Sequence, residues 1–319
     1  MNADLLHTQL MAYVGLREAL GFRTRAEKPI LLEFVAFVKA QKHPGPIRAQ
    51  MALAWACQES PHRGPNGAAG RLSIARRFLT YLQAAVPDIE VPAPGLVPSP
   101  KRPKPYLFTP TQLQALFEAA QASRPWGSLR PHTLSTLLGL LASTGLRVGE
   151  AIRLRVDHVK LDYHPPHLHI QETKFHKSRL VPLHPSTAEH LRRYTEQRAS
   201  FHYDGLADAF FVSEQGQHLK YRGVHRWFDR LCQRLAIEPT DGGRKPCLSS
   251  LRHTFAVTRM QRWYQQGLDV PTLLPHLSVY LGHVRPQESY WYLTAVPELL
   301  GAAANRFQAY AQAGGTRHA

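Results

Sequence analysis

Apolar residues recur at helical spacing through the first part of the chain. Leu31, Phe34, Val35 and Val38 stand at i, i+3, i+4 and i+7, and Met51, Leu53, Ala54 and Trp55 open a second apolar segment. Leu72, Ile74, Phe78, Leu79 and Leu82 predict a third helix, which also carries Arg71, Arg76 and Arg77. Pro44-Gly45-Pro46 and the stretch from Pro61 to Gly70 break the pattern. The spacing predicts an all-helical domain over 1–90. Prolines then take over at 92, 94, 98, 100, 103 and 105, with Lys101, Arg102 and Lys104 set between them. Proline is excluded from helix interiors and favours extended chain, so 91–107 reads as a semi-rigid linker with a basic end.

Beyond the linker, Phe108-Thr109-Pro110-Thr111 opens a helix, with Thr109 as N-cap and Pro110 in the first position. A second helix bears Leu134, Leu137, Leu138 and Leu141 and stops near Gly145. Alternating segments at His167–Glu172 and Arg179–Leu183, parted by a polar turn, predict a β-hairpin, and Phe210-Phe211-Val212 suggests a further strand. Helix resumes to about Tyr310. The fold class is mainly α with a small β-sheet, with a second domain of mixed α/β character over 108–319.

Composition adds a charge. The 319 residues hold 39 Lys and Arg against 23 Asp and Glu, a formal net charge of +16. The excess is 14 against 7 over 1–107 and 25 against 16 over 108–319, so both halves are basic. A polyanion, most often nucleic acid, is the partner such a balance suits; a generally basic protein is the plainer explanation. The three cysteines, Cys57, Cys232 and Cys247, are too scattered for a disulfide framework or a zinc site. Among 18 histidines, His164, His167 and His169 cluster without a recognised metal spacing, so no metal is expected. With neither a basic n-region and apolar h-region at the start nor a membrane-length apolar run, a cytoplasmic location is expected.

The chemistry lies in a series of side chains. Arg147 falls in Ser143-Thr144-Gly145-Leu146-Arg147-Val148-Gly149-Glu150, between the end of one helix and the start of another. Glu150, three residues on, is placed to orient it. Lys174, with Lys177 close by, lies in the hairpin turn. Arg252 falls in Ser249-Ser250-Leu251-Arg252-His253-Thr254-Phe255-Ala256, beside core-facing positions where an arginine needs a partner or a cleft. Ser249 shares a helical face with it, whereas His253 faces another way and reads as structural. His283 follows Tyr280-Leu281-Gly282, and Tyr292 stands nine residues further on, beside Tyr290 and Trp291. A phenol can attack a phosphodiester, and guanidinium and imidazole groups can hold the charge that builds on its non-bridging oxygens.

Order and spacing together resemble the tyrosine recombinases, the phage-type, Xer-like site-specific integrases. The resemblance covers 108–319 in detail and 1–107 in outline. It implies a helical core-binding domain and a catalytic domain of tyrosine recombinase type, clamped on duplex DNA and working as a tetramer. It implies that Tyr292 attacks the scissile phosphate to give a 3′-phosphotyrosine, with Arg147, Arg252 and His283 stabilising the transition state and Lys174 protonating the 5′ oxygen. No metal or nucleotide cofactor is required by that chemistry. The reaction would serve integration, excision or transposition of a mobile element. Arg71, Arg76, Arg77, Lys101, Arg102, Lys104 and Lys177 are candidate DNA contacts. The chain departs from the family at Ser249, which stands where a His-x-x-Arg histidine is usual. Two alternatives therefore stay open: a DNA-binding protein of the same fold with impaired catalysis, and a type IB-like topoisomerase.

Overall fold

The computed structural model describes residues 3–42, 45–58, 67–99, 103–171, 178–203, 207–239, 244–283, 285, 287–295, 299–301, 304, 308 and 312. The chain divides into two compact units, Met1–Arg102 and Pro103–Ala319, and the boundary falls inside the proline-rich stretch.

Four helices build the first unit: α1 (Ala3–Ala19), α2 (Glu27–Ala40), α3 (Ala49–Cys57) and α4 (Gly67–Gln83). Leu6, Leu10, Tyr13 and Val14 give α1 its buried stripe, which meets Phe34, Trp55, Phe78 and Leu79 in one core. Phe34 and Trp55 pack at 4.9 Å between ring centroids. Full burial of such side chains stabilises the unit by about 2–3 kcal/mol each. Val91 and Val97 also pack against this core. The first half of the expected linker is therefore part of the unit and not a bare spacer, because apolar residues alternate with its prolines.

Arg71 corrects the expectation of a DNA contact. Positions 71, 75, 78 and 82 form the inward stripe of α4, and Arg71 lies on it, buried. Its guanidinium covers the Trp55 ring at 4.0 Å from the centroid. Arg76 is half-buried, and exposed Arg77 pairs with Glu27 at 2.8 Å.

The second unit opens with α5 (Pro110–Gln121), whose Thr109 cap is reciprocated by Gln112. α6 (Arg130–Thr144) and the single turn α7 (Val148–Ala151) follow. Three short strands, β1 (Val159–Lys160), β2 (His167–Ile170) and β3 (Arg179–Pro182), form an antiparallel sheet in the order β1-β2-β3. Ile170 pairs with Arg179 at the hairpin end, and Pro182 is tolerated because β3 is an edge. Phe210-Phe211-Val212 is fully buried but forms no strand. Its surroundings offer only isolated bridges, Arg155 to Ala209 and Val212 to His218, too short to extend the sheet.

Helices α8 (Pro185–Ser200), α9 (Tyr221–Arg234), α10 (Leu248–Gln265), α11 (Val270–Leu281) and α12 (Gln287–Ala295) complete the unit. Two apolar clusters result. The larger joins α5, α6, the sheet, α8 and α9, and the smaller joins α10, α11 and α12. Among the described residues no helix is long and apolar enough to cross a membrane.

Candidate active site

The site lies along the seam between those two clusters. On one side, α6 ends at Gly145 in a left-handed conformation, φ 63°. A Cβ there would sit 2.6 Å from Phe255 Cδ1, so only glycine fits the turn. The chain re-enters helix at once, with Arg147 extended as the N-cap of α7. Glu150 caps back: its Oε2 accepts the Arg147 amide at 3.1 Å and its Oε1 accepts Nη1 at 3.0 Å. The same carboxylate accepts both terminal nitrogens of Arg179, Nη1 at 3.2 Å and Nη2 at 2.8 Å. Burial alone would raise the Glu150 pKa, but Arg179, with Arg147 behind it, holds the carboxyl below its ordinary value.

The other side is built on the ends of helices. α11 stops at Gly282, also left-handed at φ 70°. Arg147 Nη2 donates to Gly282 O at 2.9 Å, and Arg179 Nε donates to Tyr280 O at 2.9 Å. Arg252, buried in the second turn of α10, donates from Nη2 to Leu281 O and from Nη1 to Gly145 O, both at 2.8 Å. Carbonyls left unpaired at the ends of α6 and α11 thus hold the arginines, where helix dipoles favour positive charge. Among the described residues no carboxylate pairs with Arg252 directly. Burial, then the nearby charge of Arg147, push its pKa down to about 10. Arg252 therefore stays charged at neutral pH, beside a second cation. An arrangement of this kind has a place for a bound anion.

His283 follows the Gly282 turn, and its Nδ1 lies 2.7 Å from the buried Ser289 hydroxyl of α12. Tyr292 stands on α12 with its ring stacked near His283, 6.4 Å between centroids and 22° between planes. The residue is 2% exposed. Its hydroxyl lies 3.0 Å from Nδ1 of His253, whose ring packs against Tyr292 and Trp291. The reading of His253 as a residue turned away from the site is thus corrected. It stands at i+4 from Ser249, the same face that Arg252 shares at i+3, and that spacing was the available signal. Arg179 and Ser289 were also missed. Arg179 carries no local mark of its role, because its partners are 29 and 101 residues away.

Five expected groups are therefore gathered: Arg147, Glu150, Arg252, His283 and Tyr292. Lys174 and Lys177 lie outside the described residues, as do Lys101 and Arg102. Lys104 is exposed.

Residues 107–297 match the phage integrase family. The chain belongs to that family. A protein of Sinorhizobium fredii that bears an integrase/recombinase name, y4rB, is 38% identical over 93% of this chain and 95% of its own. The tyrosine recombinase XerD of Lacticaseibacillus casei is 25% identical over 92% and 96%. The fold is that of the integrase of transposon Tn1549, solved with transposon right-end DNA, at a TM-score of 0.62 and 15% identity over 94% of this chain and 99% of that one. In this phage integrase family member, Ser249 lies exposed in the first turn of α10. A serine hydroxyl cannot accept a proton as a base near neutral pH, so the position supplies no imidazole.

Proposed function

We propose that Tyr292 is the nucleophile with which this site-specific recombinase cuts and rejoins double-stranded DNA. Its phenolic oxygen attacks the scissile phosphorus, the bond from phosphorus to the 5′ oxygen breaks, and the 3′ end stays on the tyrosine. Arg147 and Arg252 take the non-bridging oxygens, and His283 donates to one of them. Lys174 gives the departing 5′ oxygen its proton. A 5′ hydroxyl from the partner strand then displaces the tyrosine and restores a phosphodiester. Phosphodiester energy is kept in the covalent bond throughout, so the exchange needs no nucleotide.

The observation that carries this reading is the convergence of two guanidinium groups, on adjacent carbonyls Leu281 O and Gly282 O, with the Tyr292 ring close behind at His283. The charge of Tyr292, were it ionised, acts on Arg252, which places the phenol within electrostatic reach of that cation. Since the phenol is covered, DNA seating must uncover it. Glu150 orients Arg147, and four protomers on two DNA sites complete a strand exchange that moves a mobile element. Two basic units closing on a duplex in the cytoplasm fit that work.

Covalent trapping tests the assignment. Protein and its Tyr292→Phe variant are incubated with nicked duplexes tiled across the DNA flanking its own gene. A denaturant-resistant protein–DNA band that the variant lacks, with DNA binding retained, is the expected result. A band that persists in Tyr292→Phe overturns it.

A further inference from the structure

The missing histidine leaves a chemical need unfilled. When Tyr292 Oη bonds to phosphorus its proton must go to something, and Ser249 cannot take it. One turn along the same face of α10, His253 holds Nδ1 at 3.0 Å from that oxygen. The contact joins two long-range partners, 39 residues apart in the chain. The ring is fixed by Trp291 at 5.7 Å and by Tyr292 at 5.6 Å between centroids. It also adjoins Arg252 in sequence, so proton acceptor and phosphate-binding cation ride on one helix. We propose that His253 accepts the Tyr292 proton during strand cleavage, in place of the imidazole that position 249 lacks.

This rests on Tyr292 being the nucleophile. With the ring neutral and its proton on Nε2, Nδ1 presents a lone pair to the phenol. As Oη bonds to phosphorus its proton passes to Nδ1. The phosphorus–5′-oxygen bond breaks in the same step, and the 5′ oxygen is protonated by Lys174. In the return step an incoming 5′ hydroxyl bonds to phosphorus, the Oη–phosphorus bond breaks, and Nδ1 hands the proton back to Oη. Nothing is oxidised or reduced.

Single-turnover cleavage of the tiled nicked duplexes by the full chain tests the role, with DNA affinity measured on the same duplexes. His253→Ala is expected to cleave about 100-fold or more slowly, in the range of general-base losses, while its DNA affinity changes by less than about twofold. His253→Gln keeps a side chain of similar size but offers no base, and is expected to be equally slow. Free imidazole is expected to restore His253→Ala by about tenfold or more, which a purely structural role would not allow. If His253→Ala folds poorly, His253→Gln decides. Cleavage by His253→Gln near the wild-type rate, or no response of a folded His253→Ala to imidazole, overturns the proposal. A wild-type protein that forms no covalent complex takes down the nucleophile assignment and this role together. Wild-type and His253→Ala proteins that cleave equally take down only the role.

Discussion

Arg147 and Arg252 hold consecutive main-chain carbonyls, Gly282 O at 2.9 Å and Leu281 O at 2.8 Å. The turn that delivers His283 is thereby pinned by both arginines expected to bind phosphate. Arg252 reaches further, to Gly145 O, and so ties the end of α11 to the end of α6. Removing either cation disturbs the position of the imidazole as well as the charge.

Arg252→Ala is expected to slow cleavage about 10²–10³-fold, the loss seen when a transition-state donor is removed. It should also destabilise the fold by about 1–3 kcal/mol for each carbonyl left without a donor. Arg252→Lys keeps the charge but cannot span both carbonyls, so it should recover more stability than activity. Thermal unfolding and the trapping assay separate the two effects.

Glu150→Gln probes the carboxylate between Arg147 and Arg179. Glu150 has a lower pKa folded than unfolded, so its contribution is complete above the ordinary value of 4.5 and is lost as pH falls through the folded value. At neutral pH the variant should be less stable by roughly 3 kcal/mol, since two arginines lose their counter-charge in a buried place. Below the ordinary carboxyl pKa the wild-type and variant melting temperatures should converge. Parallel curves down to strong acid would show that Glu150 does not carry this charge balance.

Two glycines of α6 and its cap should respond with opposite signs. Gly145→Ala meets Phe255 Cδ1 at 2.6 Å at a left-handed φ, and should cost about 2 kcal/mol or more. Gly139→Ala sits mid-helix with nothing within 4 Å, and should stabilise by about 0.5–1 kcal/mol. Denaturant unfolding of the two variants measures both.

Ser249→Ala is expected to leave single-turnover cleavage within about twofold of wild type, because an exposed hydroxyl in the first turn of α10 offers no base. A loss of about tenfold or more in the cleavage assay would return Ser249 to the reaction.

Cys232 is buried, and desolvation, with Asp229 and Cys247 adding to it, pushes its thiol up to about 12. Exposed Cys57 should take up an alkylating reagent in the native protein near pH 8, whereas Cys232 should react only on unfolding. Peptide mass analysis before and after denaturant checks this.

What the chain revealed in advance was local. Thr109 with Gln112, the glycine that ends α6 and the alternation at His167–Ile170 each act within a few residues, and each appears where the pattern put it. The series Arg147, Arg252, His283 and Tyr292 was legible through spacing and family resemblance. What the pattern missed depends on packing between distant elements. Arg71 looked like a solvated arginine until Trp55 of α3 covered it. His253 looked structural because adjacent helical residues diverge, yet α12 brings the phenol round to meet it. Arg179 read as an ordinary strand residue because Glu150 and Tyr280 approach it only in the folded chain.

The arginines of the site are anchored mainly on backbone oxygens, at Gly145, Leu281 and Gly282, and only Glu150 contributes a side chain to hold Arg147. Every residue type supplies a carbonyl. Exchanging Leu281 for another apolar residue therefore leaves its anchor in place, whereas a shift of a few tenths of an ångström in the path of either left-handed turn moves the anchors themselves. Drift in side-chain identity around the cations is then cheap, and the narrow tolerance of the site falls on the two glycines, far more than on the residues that touch the arginines.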